Sequence, residues 1–228
     1  MSIQENIQTI LRTIEDAKQR SGRTEKVTLI GVTKNHPAEA AAEAADCGIT
    51  VVGENRVQEA KDKIEHYTGK PVSWQLIGHL QQNKAKYAVQ LFDMIHSVDS
   101  ERILREIDKC AEKNGKIQDI LLQINVAEEE SKFGMKVGEL PAMLDLAKTL
   151  SHVRVRGLMC IAPNYEDAEQ VRPIFRIMRA LYEDIKGQFP AGQIAYLSMG
   201  MTHDYRIAVE EGATMVRVGT AIFGERQY

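Results

Sequence analysis

The chain has 228 residues, 43% of them hydrophobic and 6% aromatic, with a formal net charge of −3. That length suits one large α/β domain or two small ones, and the near-balanced charge leaves no basic footprint for nucleic acid. No apolar run approaches the roughly 20 residues that span a bilayer, and the opening residues lack the basic-then-apolar plan of a signal peptide. Three scattered cysteines (Cys47, Cys110 and Cys160) are too few for a disulfide framework, so a reducing cytoplasm is expected, with no membrane or nucleic-acid partner.

Ile3, Ile7, Ile10, Leu11 and Ile14 recur at helical spacing, so the chain opens with an amphipathic helix over residues 2–20. A rhythm then begins. "VTLIGV" (27–32) reads as a strand, and a helix follows between Pro37 and Gly48, residues suited to a helix start and stop. "ITVVG" leads into "RVQEAKDKIEHY", "SWQLIG" into "NKAKYAVQLF", and "MIHSV" into a helix starting near Ser100. "QDILLQINV" precedes "ELPAMLDLAKTL", and "VRVRGLMC" precedes a long helix from about Asp167 to Lys186. "IAYLSM" precedes a short helix around "YRIAVEEG", and "TMVRVGTAIFG" reads as the eighth strand. No Pro/Gly/Ser-rich linker divides the series. Eight βα units imply a parallel sheet, and their number matches a closed (β/α)8 TIM barrel with an extra N-terminal helix, a single domain over 1–228. An open doubly wound sheet is the competing architecture.

In such a barrel, function gathers at the C-terminal ends of the strands. Those ends carry Lys34, Asn55, His79, Ser97, Asn125 and Met159, then Ser198 and Gly200, then Gly219 and Thr220. On the last strand, Val216 and Val218 share one face while Met215, Arg217 and Gly219 share the other, which turns Arg217 inward near the rim. Barrels commonly hold a phosphate in the loops after strands seven and eight, where this chain has small residues. Strand one neighbours strand eight once the barrel closes, so Lys34 and a phosphate cradle could serve a single ligand with a carbonyl at its other end. Pyridoxal 5'-phosphate (PLP) is the candidate, since lysine condenses with its aldehyde.

Taken singly, these residues have plainer readings. A rim lysine is usually a solvated charge, Arg217 could pair with a carboxylate, and Ser198 with Gly200 could simply end a strand. His79 in "IGHLQQNK" suits a cap or a core position. Ser198, His203 and Asp204 invite a hydrolase reading, but Tyr196 occupies the first glycine position of the nucleophile elbow. "GVTKN" lacks the phosphate-loop pattern, and the histidines show no zinc spacing. Cys160 is expected to be a buried small hydrophobe.

Together the motifs "VTLIGVTKNHP", "GENRVQEA", "WQLIGHLQQNKAK", "SKFGM", "RGLM" and "LSMGMTHDYRIAVEEGATMVRVGTAIFGER" resemble the pyridoxal phosphate homeostasis proteins of the YggS/PROSC type, from about residue 5 to Arg226. The resemblance implies a barrel similar to the N-terminal domain of alanine racemase. It implies that Lys34 forms an internal aldimine with PLP, that Ser198, Gly200, Gly219 and Thr220 hold the phosphate, and that Arg217 faces the pyridine nitrogen. Asn55 would lie near the 3-hydroxyl, and His79 and Lys132 would belong to motifs without an assigned role. Two departures stand out: Gln75 where the family usually has histidine after the tryptophan, and Thr202 where serine is commoner. Neither is expected to touch the lysine or the phosphate cradle.

The implied function is intracellular PLP homeostasis by a monomeric carrier, possible recipients being PLP-dependent apo-enzymes. Lys34 must be neutral to attack an aldehyde; lysine's ordinary pKa is about 10.4, and burial or a nearby guanidinium would disfavour the ammonium. Arginine has no acceptor with which to keep a pyridine nitrogen protonated, which handicaps carbanion chemistry. The sequence stops at Tyr228, soon after the eighth strand, so the second domain of a two-base racemase is not expected and no catalytic residue is assigned. The alternatives are a PLP-dependent amino-acid racemase or lyase using His79 as a base, and a cofactor-free aldolase gripping a sugar phosphate.

Overall fold

The computed structural model describes residues 2–129 and 132–224. Arg226, Tyr228 and Glu130 lie outside the described residues. Helix α1 (Ile3–Ser21) leads into β1 (Thr28–Val32), α2 (Ala38–Asp46), β2 (Val51–Glu54), α3 (Val57–Glu65) and β3 (Ser73–Leu76). Then come α4 (Ala85–Leu91), β4 (Met94–Val98), α5 (Glu101–Lys113), β5 (Gln118–Gln123), α6 (Leu140–Thr149) and β6 (Val153–Met159). The chain continues through α7 (Arg172–Lys186), β7 (Tyr196–Ser198), α8 (Tyr205–Glu210), β8 (Met215–Val218) and α9 (Thr220–Phe223). The eight strands pair in sequence order, all parallel, and β8 returns to β1 to close the barrel. The expected (β/α)8 barrel with an N-terminal helix is what the chain forms.

Two elements differ from the sequence expectation. The final apolar run breaks after Val218, and Thr220–Phe223 turns into one short helix, because Gly219 ends the strand beside the β1 backbone. The long helix expected from Asp167 begins as a 3-10 turn over Ala168–Val171, and the α-helix starts at Arg172 with Pro173 in its first turn.

Helix α1 carries a capping box, with Ser2 accepting from the Glu5 N–H and Glu5 accepting from the Ser2 N–H. It buries Ile7, Ile10, Ile14 and Ala17, and Asn6 donates to the Ile222 carbonyl at 2.9 Å, tying α1 to α9. The apolar core has two shells. The larger lies between strands and helices and includes Leu104, Phe175, Val216 and Val218. Inside the barrel, Ile30, Val51 and Met215 form one cluster and Met94, Leu121 and Met159 another, with Tyr196 against both. These inner residues share the barrel interior with the buried polar side chains of Gln75, His96, Ser198 and Arg217.

Between β5 and β6 the register slips: Ile120 pairs with Val155, but Leu121 pairs with Gly157. The extra residue is a bulge at Arg156. Gly157 has φ +151°, and a Cβ there would sit 1.7 Å from the Tyr196 carbonyl oxygen. The strained backbone and the contact with a neighbouring strand both exclude a side chain. Gly157→Ala is therefore expected to destabilise the protein by about 3 kcal/mol, measured as a lower urea midpoint; a loss below about 1 kcal/mol would mean that the bulge relaxes freely.

Candidate functional site

Barrel closure sets the site. β1 pairs with β8 so that Ile30 lies opposite Arg217, and with β2 so that Val32 lies opposite Gly53. Lys34 and Asn55, two residues beyond the ends of those pairings, and the Arg217 side chain therefore reach one space. A cavity of about 370 Å³ opens there, lined among others by Lys34, Asn55, Ile77, Thr202, Arg217 and Thr220, with Gly219 also on its wall. The loops after β6 and β7 complete it with Ala162, Asn164, His203 and Asp204.

Lys34 sits in a turn. The His36 N–H donates to the Thr33 carbonyl at 2.9 Å, and Asn35 has φ +62°. A left-handed third residue is the type II pattern, which Asn tolerates better than most residues. Arg217 lies deeper, only 3% exposed. Its Nη1 donates to Ser198 Oγ at 2.7 Å and its Nη2 to the Cys160 carbonyl at 2.8 Å. Ser198 Oγ lies 3.1 Å from His96 Nδ1, and His96 Nε2 lies 2.7 Å from Gln75 Oε1. Because the amide oxygen can only accept, Nε2 carries the hydrogen, Nδ1 accepts, and the serine hydroxyl donates to it. The four side chains form one directed chain across the barrel interior.

Electrostatics follow burial. Desolvation, reinforced by the Arg217 charge, lowers the His96 pKa to about 3, which holds the ring neutral. Burial also lowers the Arg217 pKa, offset by Cys160 and Asp204. Among the described residues no carboxylate comes within 4.0 Å of Arg217, so its partners are neutral groups. Asp204 is the carboxylate whose field offsets part of that cost; burial raises its pKa although its Oδ1 accepts the Met201 N–H at 2.5 Å. Burial pushes the Cys160 thiol up to about 12, in keeping with an inert small residue.

The structure thus brings Lys34, Asn55, Arg217, Gly219 and Thr220 together. It does not bring Ser198, Gly200 or His79 to that wall. Ser198 is fully buried beneath it, holding Arg217. Gly200 (φ +94°) packs where a Cβ would lie 2.5 Å from Ala208 Cβ, and its carbonyl accepts the Arg217 N–H. His79 leaves the cavity because β3 ends at Leu76 and Gly78 turns the chain, so close to the Asn55 carbonyl that a Cβ would sit 2.3 Å away. Its ring stacks on Phe133 at 3.7 Å between centroids, and Nδ1 lies 3.7 Å from Asp99, in a separate depression that includes Arg102. Lys132 donates to the Ala162 carbonyl at 3.0 Å, behind the cavity loop.

Both departures from the family pattern matter more than the sequence suggested. Thr202 borders the cavity directly, and Gln75 anchors the His96 end of the chain that holds Arg217. His96, two residues on from the inward Met94, shares its face of β4, a placement carried by strand alternation although no motif marks it.

Residues 5–227 match the family model described as "Alanine racemase, N-terminal domain". A pyridoxal phosphate homeostasis protein of Aquifex aeolicus is 42% identical over the full length of both chains. This chain belongs to that family. A second pyridoxal phosphate homeostasis protein, from Escherichia coli, is 38% identical over 99% of this chain and 97% of its own. PipY of Synechococcus elongatus, in a structure with PLP bound, is 37% identical, superposes with a TM-score of 0.83, and is covered over 98% of this chain and 100% of its own. Alanine racemase from Bartonella henselae, at 14% identity and a TM-score of 0.71 over 98% of this chain and 58% of its own, shares the fold. Among the described residues no helix is long and apolar enough to cross a membrane.

The neutral state of His96 has a consequence for stability. An unfolded histidine protonates near 6.5, the folded one near 3, so between those values the unfolded state binds more protons. The His96 contribution to stability is complete above pH 6.5 and is lost as pH falls towards 3, by up to about 1.4 kcal/mol per pH unit. Urea denaturation of the wild type and His96→Gln from pH 4 to 7 is expected to show a shallower acid slope in the variant; parallel slopes would mean that His96 titrates normally.

Proposed function

We propose that this protein is a PLP-binding homeostasis protein that carries the cofactor on Lys34, in the cytoplasm, as a single-domain monomer rather than an enzyme. The observation that carries the reading is the convergence of a lysine amine, a buried guanidinium and small or hydroxyl-bearing residues on one cavity. The donor set suits the cofactor, which supplies an aldehyde that condenses reversibly with an amine and a phosphate that can be gripped independently. PipY is known with PLP bound, and relatives near 40% identity are named for pyridoxal phosphate homeostasis.

In this reading Lys34 would supply the amine that condenses with the aldehyde. Thr202 and Thr220 offer hydroxyl donors on the cavity wall, beside Gly219. Asn55 offers an amide on the lysine side of the cavity. Arg217 is held by Ser198 and Cys160 with its guanidinium on the cavity wall. It carries only donors, so it has no acceptor to hold a proton on a ring nitrogen, which disfavours carbanion chemistry. Ser198 and Gly200 support the cradle from beneath and His79 stands apart, so the racemase or lyase alternative lacks the base it was to use. A reversible covalent bond plus an ionic grip suits storage and hand-over, with PLP-dependent apo-enzymes as the recipients.

Incubation with PLP followed by borohydride reduction is expected to add one cofactor mass, on the peptide containing Lys34. Lys34→Ala should lose the trapped mass and bind PLP at least about tenfold more weakly, 1.4 kcal/mol. Wild-type protein that traps no PLP, or traps it elsewhere only, would overturn the reading.

A further inference from the structure

Behind the Lys34 turn lies a second lysine that never reaches the cavity. Lys63, on α3, is buried, its side chain 4% exposed. Its Nζ donates to the Thr33 carbonyl at 2.6 Å, to Glu54 Oε1 at 2.5 Å and towards Glu59 Oε1 at 3.3 Å. Thr33 Oγ1 also donates to Glu54 Oε1. Glu59 Oε1 accepts the Asn35 N–H at 2.5 Å. The residues on both sides of Lys34 are therefore held by one cluster: Thr33 through its carbonyl and hydroxyl, Asn35 through its amide.

The arrangement is more than a way to bury charge. A buried ion pair is a weak source of stability, since desolvating both partners offsets their attraction. Here Glu54 is fully buried and its Oε2 has no hydrogen-bond partner, so the cluster is not optimised for stability even locally. What its bonds do share is their target, the three-residue segment centred on Lys34. That segment contains a non-glycine residue with positive φ, a conformation that persists only where its surroundings impose it.

We propose that Lys63 and Glu59 are positioning residues, which clamp the Thr33–His36 turn so that Lys34 meets the aldehyde of its ligand in reactive orientation. The inference rests on the PLP reading of the cavity. The step it controls is the condensation of the neutral Lys34 amine with the aldehyde carbon: a C=N bond replaces the C=O bond, and the aldehyde oxygen leaves as water with the two amine hydrogens. Lys63 and Glu59 touch neither reacting atom. Their effect is on the orientation of the amine, and misplacement of a reacting group can cost up to about a hundredfold in rate.

The test compares covalent with non-covalent binding. Glu59 is partly exposed, so Glu59→Ala is expected to fold; Lys63→Met probes the buried member. In both variants, formation of the borohydride-trapped Lys34 adduct should slow by about tenfold or more. Affinity for pyridoxine 5'-phosphate, which has the phosphate and ring but no aldehyde, should stay within about twofold, because its grip does not use the amine. Glu59→Gln keeps an acceptor for the Asn35 N–H and should restore most of the rate. In ligand-free protein, the amides of Asn35 and His36 should exchange faster in Glu59→Ala than in the wild type. Wild-type trapping rates in both variants, proportional loss of pyridoxine 5'-phosphate binding, or a Glu59→Gln variant as slow as Glu59→Ala would each overturn the proposal while leaving the PLP reading intact. A wild type that traps no PLP would overturn both.

Discussion

A guanidinium inside a barrel is the constraint around which this molecule is organised. Arg217 sits on the inward face of β8, and the described residues surround it with neutral oxygens, from Ser198 and Cys160, instead of a carboxylate. Burying a cation without an opposite charge in contact is unfavourable unless its donors are satisfied and the charge serves a purpose. Towards the first, Ser198 Oγ and the Cys160 carbonyl each take one guanidinium N–H, and the relay from Ser198 through His96 to Gln75 also fixes the hydrogen on His96 Nε2. The second is met at the cavity wall, where an anionic ligand would find a positive field.

The two sides of the cavity are stiffened in different ways. Arg217 is braced by a chain of neutral hydrogen bonds running across the barrel interior. The turn bearing Lys34 is braced from outside the barrel by α3, through an ion cluster. Because the barrel closes between β1 and β8, rigidity on one side is useful only if the other is equally fixed. On the proposed reading as a carrier, geometry set in advance on both sides lowers the ordering cost of a reversible bond to its cargo.

Much of this was legible in the sequence because it followed from periodicity. Alternation along "TMVRVG" turned Arg217 inward, the count of βα units gave the closed barrel, and closure brought Lys34 near the last strand. What periodicity could not supply was where each strand ends. His79 would have faced the cavity had β3 continued three residues further, but Gly78 turns the chain away. Ser198 and Gly200 lie on the expected strand end, yet one is spent on holding Arg217 and the other on close packing. Their small size reads alike in sequence whether a ligand or a neighbouring helix fills the space. The Glu54–Lys63 cluster was invisible for a different reason: Lys63 lies on an amphipathic helix, where a lysine is ordinarily solvated, and only its tertiary partners reveal that it is buried.

The account stands or falls on whether Lys34 and Arg217 meet one ligand. A crystal structure of the protein grown with PLP addresses that directly. Density continuous from Lys34 Nζ into the cofactor ring, with the ring beside Arg217 and the phosphate among Thr202, Gly219 and Thr220, is the predicted result. Cofactor bound in the His79 depression, or a Lys34 side chain turned away from the cavity with no ligand between it and Arg217, would contradict it.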